Sequence, residues 1–346
     1  MHPVQAYAAL QAKGDIVSHI IQRRSPKDHD VVIDVHYCGI CHSDIHQVNG
    51  DWGPNIFPMV PGHEITGVVK HIGPKVKKFK IGDRVGVGCM VDSCQTCSSC
   101  QKQEEQFCEQ GFTSTYNDYE KNDTQKPTYG GYSNEIIVRE EFVLRIPDHM
   151  DLAKAAPLLC AGITTYSPLR YFNINENSKV GIIGFGGLGH VAVKIAHQLG
   201  AEVTVFSHSK NKKSDALAFG AHTFIDTGEK NFENKVIPQD MLLWTASDVT
   251  NIDAYISCLK HDGAMVMIGL PGIDIKINPM PLIIHRKQIT GSLIGGIQQT
   301  QEMLDFCGKH DIAPEIEMIT PSEINKAYTR IGKSDVRYRF VIDLKK

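Results

Sequence analysis

A strand, a glycine-rich turn and an amphipathic helix follow one another without a break between residues 180 and 199. Val180-Gly181-Ile182-Ile183 is a compact apolar run, Gly184-Phe185-Gly186-Gly187-Leu188-Gly189 is the turn, and Leu188, Val191, Ala192, Ile195 and Leu199 then recur along one helical face. This order restricts the chain to few folds, because the glycines permit a tight turn, close approach of a ligand to the backbone and close helix–strand packing. The alternation continues downstream. Residues 202–206, 222–225, 241–244, 264–268 and 289–294 read as strands, and 212–219 and 251–259 as helices. Strands alternating with helices predict a parallel, doubly wound sheet over 157–295.

The flanking segments have another texture. With 346 residues the chain has room for two domains at about 150 residues each. Between residues 30 and 145, short β-like runs such as Asp30-Val31-Val32-Ile33-Asp34-Val35 are separated by Gly62, Gly73-Pro74 and Gly82-Asp83. This part is expected to be β-rich. The last 50 or so residues hold a helix near 299–307 and a strand at 337–343, too little for a domain, and are expected to return to the first one. The expected division is 1–156 with 296–346, and 157–295.

A formal charge of −3 excludes a generally basic nucleic-acid binder. No apolar run reaches the roughly 18 residues of a membrane span, and the first residues carry no basic-then-apolar signal, so a cytoplasmic protein is expected. In that setting the ten cysteines point to metal rather than disulfides. The basic stretch 70–80 reads as a solvated turn.

Cys94, Cys97, Cys100 and Cys108 place four thiols within a short loop. Each CxxC step lets two thiolates reach one ion at the roughly 2.3 Å of a zinc–sulfur bond, and four close a tetrahedron with no open position, the mark of a structural site. An iron–sulfur cluster also takes four thiolates. A second set is dispersed: Cys41 in Cys38-Gly39-Ile40-Cys41-His42-Ser43-Asp44, His63-Glu64 after Pro61-Gly62, and Cys160 before Ala161-Gly162-Ile163-Thr164. Singly each has a bland explanation, and no periodicity shows that they meet.

Five ordered motifs, however, resemble those of the zinc-dependent medium-chain alcohol dehydrogenases, within them the cinnamyl alcohol dehydrogenase branch, and the resemblance spans nearly the whole chain. They are residues 38–46, residues 58–64, the cysteine cluster, residues 156–164 and the glycine motif 184–190. The resemblance implies a GroES-like β-rich catalytic domain and a Rossmann dinucleotide domain, with the active site in the cleft between them. It also implies zinc at the cysteine cluster and a catalytic zinc on Cys41, His63 and Cys160, with Glu64 beside the metal and able to take its fourth position. Asp44 matches an acid that orients the ligand histidine, as an imidazole ligand requires on its other nitrogen. Ser43, two residues from Cys41, is implied to touch the substrate oxygen, with a proton relay running through the cofactor ribose to His46.

Gly184, Gly186, Gly187, Leu188 and Gly189 form the expected dinucleotide turn. NAD-binding versions carry an acid at the tip of the second strand. Here the tip reads Ser207-His208-Ser209-Lys210-Asn211-Lys212, with Glu202 too early to serve. Hydroxyls and a lysine suit a 2′-phosphate, and Ser207, Ser209 and Lys212 match the family's NADP-preferring loop, so NADP(H) is the expected cofactor. Thr164, Thr245, Gly269 and Ser292 align with positions lining the cofactor cleft. Trp52, Phe57 and Tyr116 are candidates for an apolar substrate wall. Ser114 stands where lignin-pathway members usually carry tryptophan, so a broad reductase of aromatic and medium-length aliphatic aldehydes is expected, not a strict cinnamyl enzyme. The late strand 289–294 is implied to pair across a homodimer. The competing readings are an NAD-dependent alcohol or polyol dehydrogenase and a non-catalytic nucleotide-sensing zinc protein. A nucleic-acid zinc finger is disfavoured by Gln103-Glu104-Glu105-Gln106 beside the cysteines.

Overall fold

The computed structural model describes residues 1–121, 123–246, 251–269 and 275–346. The chain divides into two compact units, Met1–Ile163 with Gly295–Lys346, and Thr164–Ile294.

The first unit is built on the strand Asp30–Gly39, whose Val31, Val32, Ile33, Val35 and Cys38 are all buried. Apolar residues on both faces suit a strand covered from two sides. It pairs antiparallel with Ile65–Ile72, with Glu135–Arg139 and, at its far end, with Arg339–Asp343 through Gly39↔Val341 and Cys38↔Ile342. Arg84–Val87 and Leu144–Arg145 extend the sheet on one side and Ile316–Ile319 on the other, making seven strands. The C-terminal strand therefore lies beside the Cys38-Gly39 end of the central one, which brings Arg339 to the neighbourhood of Glu64.

The hairpin of His2–Ala9 with Ile16–Arg23 escaped the sequence reading, and so did three further elements of this unit. Helix His42–Asn49 buries only Asp44 and Val48, so it carries no apolar stripe. Ile316–Ile319 and helix Ile324–Gly332 lie in a polar stretch where only Ile319, Ile324 and Ala327 are buried. The helix read at 299–307 extends over Ile297–Lys309.

The second unit is a six-stranded, wholly parallel sheet in the order Thr223–Asp226, Glu202–Ser207, Lys179–Ile183, Gln239–Trp244, Leu259–Met267, Gln288–Gly291. In chain order that is third, second, first, fourth, fifth, sixth, with the direction reversing between the first and fourth strands. Such a reversal leaves a crevice at the strands' carboxyl ends. Helix Gly189–Gln198 covers the sheet with Val191, Ala192, Val193, Ile195 and Ala196 buried. Phe206, Phe232, Trp244 and Tyr255 pack edge-on or tilted at ring separations of 5.0–6.2 Å, the geometry that aromatic quadrupoles favour. The final strand ends at Gly291, three residues short of the sequence-based limit. No helix among the described residues is long and apolar enough to cross a membrane.

Candidate active site

The helix His42–Asn49 starts directly after the central strand, with Cys41 as its N-cap residue. Cys41 donates its backbone N–H to Asp44 Oδ2 at 2.8 Å, as an acid in a helix's first turn favours. This local cap faces the Cys41 side chain into the unit's interior. There Cys41, His63, Glu64 and Cys160, all buried, offer ligand atoms that lie within 4.8 Å of one another. The two thiols are 3.9 Å apart. Asp44 Oδ1 sits 3.4 Å from His63 Nδ1, which leaves Nε2 for the cluster.

Burial and mutual contact shift every titratable group of the cluster, the Cys160 thiol upward through its contacts with Cys41 and Cys89. Hydrogen bonding from Cys160, aided by His63 and Arg339, holds the Cys41 thiol well below its ordinary range against the cost of burial. Burial works against charge on His63, yet Cys89 and Asp44 lift it well above its usual value. Glu64 is pushed up to about 7 by burial, with Arg339 pulling the other way. Its Oε1 accepts from the buried Arg339 guanidinium, while Oε2 is buried with no partner among the described residues. Gly39 makes room for that carboxylate: a Cβ there would lie 2.0 Å from Oε2.

The second cluster is Cys94, Cys97, Cys100 and Cys108. Sulfur pairs stand 3.8 Å (Cys94–Cys100) and 4.0 Å (Cys97–Cys108) apart. Four sulfurs at about 2.3 Å from one zinc would be separated by about 3.8 Å. Backbone N–H groups point at the sulfurs, from Thr96 and Cys97 to Cys94 and from Glu109 to Cys97. Those of Thr96 and Cys97 bring Cys94 down to about 6, whereas burial pushes Cys100 up to about 12.

On the second unit, the sequence-selected residues fall along the carboxyl ends of the parallel strands. Gly184 (φ +89°) turns the chain after Lys179–Ile183. Gly189 packs so closely that a Cβ would lie 2.1 Å from Gly184 O, whereas a Cβ on Gly186 would meet nothing within 4 Å. The three glycines thus make the turn, leave an open approach and pack the helix, one each. Leu188 caps helix Gly189–Gln198, and Gly187 stands between it and the open approach. Thr245 ends the adjacent strand and donates its hydroxyl to Ile183 O (2.9 Å). Gly269 and Ser292 follow the next two strands and are tied back by their N–H groups to Trp244 O and Met267 O.

At the second strand's tip, Ser207 Oγ accepts from Ser209 N–H (3.2 Å) and Lys212 Nζ donates to Phe185 O (3.1 Å). Lys210 pairs instead with Asp226 Oδ2 at 2.8 Å. Thr164 lies in helix Ala161–Tyr171 with its hydroxyl buried and without a partner among the described residues.

Two family descriptions match the chain: Alcohol dehydrogenase GroES-like domain over residues 27–148 and Zinc-binding dehydrogenase over residues 187–309. NADP-dependent alcohol dehydrogenase C 1 of Mycolicibacterium smegmatis is 52% identical over 345 residues, 99% of this chain and 98% of that protein. A cinnamyl alcohol dehydrogenase structure from Sorghum bicolor superposes with a TM-score of 0.96 at 39% identity, covering 99% of this chain and 98% of that one. The structure of CAD from Helicobacter pylori complexed with NADP(H) gives 0.94 at 41% identity, covering 99% of each. The chain belongs to the zinc-binding alcohol dehydrogenase family.

In this dehydrogenase both cysteine-bearing clusters have the donor chemistry of zinc. One is closed with four thiols, and one is mixed, with an orphaned carboxylate oxygen inside it. Ser43 and His46 are one helical turn apart. Ser43 Oγ accepts from the Cys41 thiol (3.5 Å), while His46 Nδ1 is held by Asp51 (2.7 Å) and its ring lies between His42 and Trp52 at 5.0 and 4.9 Å. Of the aromatic candidates, Tyr116 stacks on His63 at 5.9 Å. Trp52, 42% exposed, instead packs on His46.

Three residues at the mixed cluster had no signal in the sequence. Cys89 lies against Cys160 and outside the four-ligand set. Arg339 and Tyr132 reach the cluster from 275 and 88 residues away, respectively, measured to Glu64 and Asp44.

Gly62, just before His63, has φ +103°, and a Cβ there would lie 2.7 Å from both Cys38 Sγ and the Tyr132 ring. Gly62→Ala is expected to lose roughly 2–4 kcal/mol of stability from strain and overpacking, read by denaturant unfolding. A change below about 0.5 kcal/mol would mean the site repacks freely.

Proposed function

We propose that the enzyme interconverts primary alcohols and aldehydes with NADP(H), acting broadly on aromatic and medium-length aliphatic aldehydes. The carrying observation is the buried convergence of Cys41, His63, Glu64 and Cys160. Cys41, His63 and Cys160 would hold the catalytic zinc, with Glu64 at the fourth position when no substrate is there. Cys94, Cys97, Cys100 and Cys108 would hold a structural zinc. The first unit would carry the chemistry and the second the cofactor. When bound, zinc supplies Lewis acidity toward a carbonyl or alcohol oxygen and NADPH supplies hydride. The protein's own residues manage the proton. Ser43 Oγ holds one beside Cys41, His46 Nε2 offers an exit toward water, and Asp51 keeps the His46 ring turned that way by occupying Nδ1. Asp44 holds His63 in the tautomer that presents Nε2.

The preference for NADP(H) is supported by the strand tip, where Ser207, Ser209 and Lys212 stand and Asp226, opposite Ser207 on the next strand, is paired with Lys210. The Mycolicibacterium relative's NADP dependence points the same way. Lys212→Ala is expected to raise KM for NADPH about tenfold, equivalent to ~1.4 kcal/mol, and to leave KM for NADH unchanged. Equal effects on both cofactors would remove the phosphate role.

A homodimer is supported by the sheet's last strand. Gln288–Gly291 is largely exposed, and Met280, Ile283, Ile284 and Leu293 beside it are 48–74% exposed. A second copy adding strand to strand would cover them. A cytoplasmic location completes the reading.

The experiment that tests the whole is cofactor consumption by zinc-replete protein on cinnamaldehyde, benzaldehyde and hexanal, comparing NADPH with NADH. Strong NADPH preference that a chelator abolishes is expected. Preference for NADH would favour the NAD-linked alcohol or polyol dehydrogenase, and no turnover with either would favour a sensing role.

A further inference from the structure

Behind the mixed cluster lies a layer of side chains that the proton and hydride chemistry does not use. Asp44 is fully buried, and its two oxygens meet four neighbours. Oδ2 accepts from Cys41 N–H at 2.8 Å and from the Tyr132 hydroxyl at 3.2 Å, and Oδ1 faces Gly62 N–H at 3.2 Å and His63 Nδ1 at 3.4 Å. A carboxylate has about four lone-pair sites, so every direction is taken and the group cannot turn without losing a partner. Two of the four neighbours come from the ligand residues themselves and one from the glycine before His63. Tyr132 comes from a separate part of the chain, as does Tyr116, whose hydroxyl also approaches the carboxylate.

That part of the chain is clamped on both sides. Tyr132 is fully buried. Its loop runs alongside the segment before His63: Gly130 N–H donates to Val60 O (2.8 Å), Gly131 N–H to Gly62 O (2.8 Å) and Tyr132 N–H to Pro61 O (2.9 Å). The contact is so close that a Cβ on Gly130 would lie 2.4 Å from Gly62 O. From the other side comes Arg23, a buried arginine whose side chain reaches into residues 129–135. Its guanidinium donates to Glu135 O (3.0 Å), Tyr129 O (2.7 Å), Gly130 O (3.0 Å) and Ser133 Oγ (2.8 Å). The Tyr328 hydroxyl stands 3.4 Å from that of Tyr132 and closes the chain of groups.

We propose that Tyr132 is a positioning residue for the metal ligand His63, acting through Asp44, and that Arg23 holds the loop that carries it. The inference rests on the reading of Cys41, His63 and Cys160 as zinc ligands. The physical reason is rotational. A ligand imidazole keeps its orientation only while its second nitrogen faces a fixed acceptor. The Tyr132 hydroxyl fixes Oδ2, and a carboxylate fixed at one oxygen presents the other in one place. Replacing Tyr132 with phenylalanine keeps the ring and the packing and deletes this contact together with the longer one from the Tyr328 hydroxyl. Asp44 Oδ2 then loses one of its donors, and the carboxylate is freer to swing away from Nδ1.

Zinc release tests this without reference to turnover. Fully loaded wild-type protein, Cys160→Ala and Tyr132→Phe are each mixed with a chromogenic chelator and the release phases followed. The phase that Cys160→Ala removes belongs to the mixed cluster. In Tyr132→Phe that phase is expected to accelerate roughly tenfold, the lower end of what losing an outer partner of a ligand costs. The phase belonging to the four-thiol loop is expected to keep its wild-type rate, which shows within the same sample that the fold is intact. Cobalt substituted at the mixed cluster should show a shifted d–d band in Tyr132→Phe. Unchanged release and an unchanged cobalt band would overturn the inference, and so would equal acceleration of both phases, which is general loosening. If wild-type protein has no phase that Cys160→Ala removes, the metal reading itself fails. That result is distinguishable from a Tyr132→Phe variant that merely behaves like wild type.

Discussion

Cys160→Ala is expected to abolish turnover while leaving NADPH binding nearly intact. The variant removes one of the two thiols that stand 3.9 Å apart in the mixed cluster and creates no large cavity, because only one sulfur atom is lost. The set that remains, Cys41, His63 and Glu64, has one soft donor instead of two, and zinc affinity falls with each thiolate removed. The expected loss in kcat is at least about a thousandfold, or ~4 kcal/mol of barrier. The protein should lose one zinc per chain and retain the other. NADPH affinity should change by less than about twofold, since Cys160 belongs to neither the glycine turn nor the Ser207–Lys212 loop and independent sites behave additively. Kinetics, metal analysis and cofactor titration read the three quantities separately. A variant that turns over near the wild-type rate would show that the catalytic zinc is held elsewhere.

Cys108→Ser acts on the other cluster with the opposite profile. Cys108 is buried and pairs with Cys97 at 4.0 Å, while its sulfur also accepts the Cys94 N–H at 3.5 Å. Apart from the four-residue helix Ser98–Gln101 and one short 3₁₀ turn, the loop has little regular structure of its own, so four sulfurs around an ion are its main cross-link. Losing a structural metal belongs to the few mechanisms that cost more than about 4 kcal/mol. The melting temperature is therefore expected to fall by roughly 10 °C. The zinc that departs should be the one Cys160→Ala keeps. Per folded molecule at low temperature, turnover should persist, because no ligand of the mixed cluster is touched. An unchanged melting temperature with full zinc content would mean that the loop is held by packing alone.

The two clusters also differ in how far the sequence disclosed them. Cys94, Cys97, Cys100 and Cys108 were legible because successive ligands are only three to eight residues apart. At no more than ~3.6 Å per residue, such spacing by itself keeps four sulfurs within reach of one ion. The glycine turn was legible for a related reason. Its three roles, at Gly184, Gly186 and Gly189, are all played within six residues by backbone that has no side chain to interfere. The alternating strands and helices gave the parallel sheet, since a run of one periodicity after another leaves few ways to bury both. Helix His42–Asn49, with only two buried residues, gave no period to read, whereas Ile324–Gly332 was passed over although Ile324, Ala327, Tyr328 and Ile331 recur along one face.

For the mixed cluster, the residues alone offered three unremarkable cysteines and histidines, and family resemblance supplied their grouping. Between Cys41 and Cys160 lie 119 positions, a separation that constrains no distance at all. What brings them together is the sheet. The central strand delivers Cys41 at its end, Ile65–Ile72 pairs beside it and carries His63 and Glu64 just ahead of its first residue, and the C-terminal strand pairs at Gly39 to set Arg339 against Glu64.

Local chemistry, then, was written in the chain itself: a four-thiol metal loop, a dinucleotide turn, and a second-strand tip with hydroxyls and lysines in place of an acid. Tertiary structure alone decided which carboxylate is orphaned, which arginine is spent on it, and which tyrosine and which buried arginine stand behind the ligand histidine. The reason is that spacing restrains partners only over a few residues, whereas a buried charge must find its partner wherever strand pairing happens to place one.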